Sequence, residues 1–121
     1  MQHGMHHRGP MMGPMMDPRS RLFMALANDQ RLKILTLLKE GEKSTAEILE
    51  ALQLDPSVVS RHLTLLRNVG LIQARKEGVS QRYTIADERI FEMIRLASAI
   101  IKDWLDKHIP TYDFAYSSAI G

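Results

Sequence analysis

Asp55 to Ile72, DPSVVSRHLTLLRNVGLI, leaves this chain little freedom. Asp55 before Pro56 starts a helix: the Asp side chain accepts first-turn N–H groups, and proline is at home at the first helical position. Gly70 stops it, and Leu71-Ile72 opens an apolar strand. Between these ends Val59, Leu63, Leu66 and Val69/Gly70 recur at the spacing of one buried face. Ser57, Ser60, Arg61, Thr64 and Arg67 line the opposite face. That face holds hydroxyls and guanidinium groups and no carboxylate. Solvated faces usually mix Glu with Lys, whereas this one suits phosphates and base edges.

The flanking segments give that helix a context. Residues 1–17, MQHGMHHRGPMMGPMMD, show no period of 3.6 or 2 and read as a disordered Met/His-rich arm. From Pro18, Leu22, Phe23 and Leu26 form a short apolar stripe. Asn28 or Asp29 caps a second helix, with Leu32, Ile34, Leu35, Leu37 and Leu38 on its buried face and Gly41 at its end. Ser44 or Thr45 caps a third, with Glu47 early in it and Ile48, Leu49 and Leu52 facing inward. A turn at Gln53-Leu54-Asp55 joins it to the polar-faced helix, so the pair reads as a helix-turn-helix. Ile72 to Glu77 and Gln81 to Ile85, around Gly78-Val79-Ser80, read as a β-hairpin. Arg75, Lys76, Gln81 and Arg82 make it basic, the "wing" of a winged helix.

Asp87 caps a last helix of roughly Glu88 to His108, about 30 Å long at 1.5 Å per residue. One small domain can hardly cover both Phe91 and Trp104 on it. The expectation is a dimer, formed by Phe91, Ile94, Ile101, Trp104 and Leu105 together with Leu22, Phe23 and Leu26. Pro110 ends the helix, and the tail, residues 110–121, either lies across the dimer surface or is disordered. The expected architecture is thus mainly α with a small β-hairpin: a dimeric winged helix-turn-helix domain over residues 18–109, between an arm and a tail.

Charge is unevenly spread. The net is only +2, yet Pro56 to Ala86 holds Arg61, Arg67, Arg75, Lys76 and Arg82 against one acid, Glu77. Such a patch is the electrostatic footprint of an anionic polymer or, taken alone, a solvated basic face. With no cysteine there are no disulfides, thiolate metal sites or thiol sensors. No run of about 18 apolar residues predicts a membrane span. Gly13 and Pro14 break the Met-rich arm where a signal peptide would need an apolar core. These features fit a cytoplasmic protein. An enzyme is not expected, for no phosphate-binding Gly loop, metal triad or nucleophile-base pair is present.

LANDQRLKILTLL (Leu26 to Leu38), SVVSRHLTLLRNVGLI (Ser57 to Ile72) and RKEGVSQRYTI (Arg75 to Ile85) together resemble the ArsR-type winged-helix repressors, over roughly residues 20–107. The resemblance implies a homodimer on double-stranded DNA, with first and last helices at the interface and a palindromic operator near a promoter. Two recognition helices would then sit ~34 Å apart. Ser57 and Ser60 are expected to donate to phosphates or bases at a helix N-terminus that favours anions. Arg61 reaches a guanine edge or a phosphate. His62 either joins them or packs as a structural histidine at the rim of the core. Arg75, Lys76, Gln81 and Arg82 meet backbone or minor groove, or else protect a strand edge.

The signal is less legible. Where many relatives carry sensing cysteines, this chain has Ser44, Thr45 and Ala46 within Glu42 to Ile48. A second family site, of Asp and His on the last helix, survives only as Asp106-Lys107-His108. No cofactor is expected. His3, with His6 and His7 and the arm's thioethers, is compatible with Cu or Ni; the alternative is an arm merely rich in Met and His. A rival to DNA binding is a winged helix used only for protein contact.

Overall fold

The computed structural model describes residues 17–112. His3, His6, His7 and the tail beyond Tyr112 lie outside them. The described chain runs α1 (Pro18–Leu26), α2 (Asp29–Lys39), β1 (Lys43–Ser44), α3 (Thr45–Leu52), α4 (Pro56–Asn68), β2 (Ile72–Glu77), β3 (Ser80–Ile85) and α5 (Arg89–His108). This is the winged helix-turn-helix fold.

Local chemistry sets most of these limits. Asp17, assigned to the arm from sequence, caps α1 by accepting from Arg19 N at 2.8 Å. Asn28 accepts from Gln30 N and Arg31 N. At α3, Ser44 and Glu47 form a reciprocal capping box that satisfies two first-turn donors. At α5 the N-cap residue is Glu88, which makes no side-chain capping bond; Asp87, expected as the cap, lies one residue earlier and accepts from Arg89 N at 3.0 Å. The end of α4 is a Schellman motif: Leu71 N bonds Leu66 O, Gly70 N bonds Arg67 O, and Gly70 takes φ +83°. Its apolar contact is present too, since Leu66 and Leu71 are both buried.

The expected hairpin gains a third strand. The antiparallel order is β1-β3-β2, with Lys43 opposite Tyr83 and Ser44 opposite Arg82. Two residues show no period, so β1 is invisible in the sequence. Gly78, at φ +63°, occupies the first central position of the two-residue turn between β2 and β3, where a II′ turn favours glycine.

One core joins the layers. Ala25 of α1, Ile34, Leu35 and Leu38 of α2, and Ile48 of α3 meet Val59, Leu63 and Leu66 of α4. Ile72 and Tyr83 of the sheet, with Ile90 and Ile94 of α5, close it. Each large apolar side chain fully buried here stabilises the fold by roughly 1.5–3 kcal/mol before ordering costs. Ile94 is therefore a correction: expected on a subunit face, it is 5% exposed and belongs to the protomer's own core. Leu22, Leu26 and Phe91 are half-buried against that core, and Lys39 Nζ stands 5.2 Å over the Phe91 ring. The exposed apolar surface lies elsewhere on the same two helices. Phe23 (57%) and Met24 of α1, with Leu96, Ile100 (71%), Ile101 and Trp104 (49%) of α5, face outward. Leu105 is half-buried beside them.

Candidate nucleic-acid interface

Helix α4 is held by one face and offers the other. Val59, His62, Leu63 and Leu66 are its buried residues. Ser57, Ser60, Arg61, Thr64 and Arg67 are all exposed. Gln53 bends the chain into the turn before it with φ +56°, a left-handed conformation unusual for a residue with a Cβ. Among the described residues neither Arg61 nor Arg67 has an ion-pair partner.

Ser57 is less free than expected. Its hydroxyl donates to Asp55 Oδ1 at 2.7 Å, and its backbone N–H donates to the same oxygen at 2.8 Å. Those two bonds, with Arg61 nearby, hold the Asp55 carboxyl below its ordinary range. Ser57 thus contributes to the cap and keeps only acceptor capacity for a ligand, while Ser60 retains its donor.

His62 resolves toward the structural alternative. It is 8% exposed, and both ring nitrogens are engaged inside the protein. Nε2 lies 2.7 Å from Gln30 Oε1, and Nδ1 lies 3.2 Å from an Arg31 Nη. Guanidinium only donates, so Nδ1 accepts and the proton sits on Nε2, donated to Gln30. Burial, then the Arg31 and Arg61 charges, lower the ring's pKa and favour the neutral form. Arg31 also donates through Nε to Ala25 O at 2.6 Å and through Nη2 to Met24 O at 3.1 Å. One guanidinium so ties the end of α1 to α4. Neither Gln30 nor Arg31 stands out in the sequence, because polar residues in a first helical turn are ordinary.

The wing is not the open cationic edge that its sequence suggests. Arg75 and Arg82 are cross-strand partners, and Glu42, just before β1, reaches both. Its carboxylate lies 2.9 Å from Arg75 Nη2 and 3.3 Å from Arg82 Nε. Glu47 is 3.6 Å from Arg82, and Glu77 lies 3.6 Å from Arg75 and 3.8 Å from Arg82. The hydrogen bond from Arg75 is the chief cause that lowers the Glu42 pKa. Lys76 is exposed and outside this network, and Gln81, its cross-strand partner, is half-buried.

Among the described residues no three His, Cys, Asp or Glu side chains cluster as a metal site. No described helix is long and apolar enough to cross a membrane.

Residues 28–74, the second helix through the start of the wing, match the model of the bacterial regulatory protein arsR family. A probable mercury resistance operon repressor of Streptomyces lividans is 36% identical over 87 residues, 72% of this chain and 70% of that protein. This chain belongs to the ArsR family of transcriptional regulators. The transcriptional activator HlyU of Vibrio cholerae is 40% identical over 75 residues, 62% of this chain and 69% of that protein. A solved homodimeric winged helix-turn-helix DNA-binding domain from Mycobacterium bovis, a possible ArsR-family regulator, superposes with a TM-score of 0.66 at 32% identity. That match covers 87% of this chain and 97% of the other. ArsR-type regulators bind double-stranded DNA.

Proposed function

We propose that this protein is a sequence-specific repressor that binds an inverted-repeat operator as a homodimer in the cytoplasm. The observation that carries the reading is the outer face of α4. Ser60, Arg61, Thr64 and Arg67 project from it, and no acid interrupts them. In a helix-turn-helix the second helix enters the major groove with its N-terminal residues at base edges. Arg61, in its second turn, is placed to read guanine in bidentate fashion, and Arg67 and Lys76 to meet phosphate. Ser57, whose N–H and hydroxyl both donate to Asp55, serves the cap of α4.

The dimer is supported by the outward apolar surface of α1 and α5, which carries Phe23, Met24, Leu96, Ile100, Ile101 and Trp104. Residues 18–109 hold both surfaces and form the working unit, with the arm and tail as appendages. The reading assigns no catalytic step and no cofactor. Repression follows the Streptomyces relative, and a reporter fused to the bound promoter reads its sign.

Gel retardation on the DNA upstream of the protein's own gene tests the proposal. Wild type is expected to retard a fragment at moderate salt. Arg61→Ala, which removes the contact from both half-sites, should weaken that complex at least tenfold, at roughly 1–3 kcal/mol per half-site. If wild type retards no upstream fragment even at low salt, the winged helix serves protein contact instead.

A further inference from the structure

Three carboxylates gather at the base of the wing, two of them from outside the hairpin. Arg75 and Arg82 stand directly opposite each other, a like-charge pairing that costs stability in an antiparallel ladder. Glu42 relieves it by sitting within 2.9 Å of one guanidinium and 3.3 Å of the other. Glu47 and Glu77 complete a group of three acids around the two arginines. The pairing does not bury these groups: Arg75 is half-exposed, and Glu42 and Arg82 are partly so.

We propose that Glu42 attenuates DNA binding by competing with backbone phosphate for the two wing arginines. This inference rests on the DNA-binding reading above. Exposed ion pairs contribute little net stability, so a phosphate can compete for either guanidinium. The exchange leaves the Glu42 carboxylate unpaired beside phosphate. Every sequence incurs that repulsion, so Glu42 lowers affinity for operator and random DNA alike. Phosphate contacts by themselves carry no sequence information, so withholding them lowers the sequence-independent part of the affinity and leaves binding more dependent on the base contacts of α4.

Fluorescence anisotropy on wild type and Glu42→Gln tests this, with a random-sequence duplex and with the retarded upstream fragment, across a salt series. The amide keeps the size of the carboxylate and removes its charge. Glu42→Gln is expected to bind random DNA about three- to tenfold more tightly at low salt, with a log-log salt slope steeper by about one per wing. Affinity for the upstream fragment should rise by a similar factor, so the ratio between the two stays nearly constant. Arg75→Gln should weaken random binding more in the Glu42→Gln background than in wild type. That coupling separates withheld arginines from a loss of folding, which weakens binding in both backgrounds. Unchanged random binding and slope, or weaker binding to both duplexes, overturns the role of Glu42 while leaving the DNA-binding reading intact. If wild type binds neither duplex, that reading fails and this one falls with it.

Discussion

His62 shows how much one side chain's surroundings decide. In the sequence it stands beside Arg61 and between two faces of a helix, and nothing there separates a ligand-binding ring from a packed one. Its partners, Gln30 and Arg31, are more than thirty positions away. The consequence is a pH dependence of stability with a defined sign. An unfolded His62 takes its proton near pH 6.5. The folded ring, with its pKa lowered by burial and by the Arg31 and Arg61 charges, takes it only at lower pH. Between those values the unfolded chain binds more protons, so stability rises with pH there and is lost as pH falls from about 6.5 toward the folded value. Urea midpoints at pH 7.5, 6.5 and 5.5 should fall in that order for wild type. His62→Gln should flatten the trend; an equally steep trend in that variant would assign it to other groups. Glu42 teaches the same lesson. The excess of base over acid between Pro56 and Ala86 is a true property of the sequence, but charge balance is set in space, and the acids Glu42 and Glu47 come from outside that stretch.

Helices and their ends were the most readable elements. Asn28, Ser44 and Asp55 each supply a cap that their residue type announces, because a side-chain oxygen on the first-turn N–H groups acts within three residues. Gly70 is equally local, and its importance is measurable. A Cβ there would meet nothing within 4 Å, so an alanine suffers only from the backbone, held at φ +83°. Gly70→Ala should lower stability by about 1–2 kcal/mol, the cost of left-handed backbone with a Cβ. A thermal melt checks this, and no change would mean that the Schellman turn can relax. Strand β1 and the division of α5 between core and surface were not readable in this way. β1 exists only through its pairing with β3, and Ile94 and Ile101 look alike until the fold places one inside and one outside.

At the level of the assembled protein, α5 is the element that a single protomer leaves unfinished. Its first half packs into the core through Ile90, Ile94 and Ser98, and its second half presents Ile100 at 71% and Trp104 at 49% exposure. Sedimentation should find wild type as a dimer. Ile100→Glu should shift it toward monomer and reduce operator affinity at least tenfold, because a single half-site keeps only part of the contacts. A monomeric wild type would remove the two-fold reading of the operator. The linkage made by Arg31 then acquires a meaning beyond stability. Its guanidinium grips the last carbonyls of α1, a helix of the proposed subunit seam, and the imidazole of the DNA-facing helix. A dimer measures a palindrome by the distance between its two reading heads, and the Arg31 guanidinium is one of the contacts in each subunit that join the proposed seam to the proposed head.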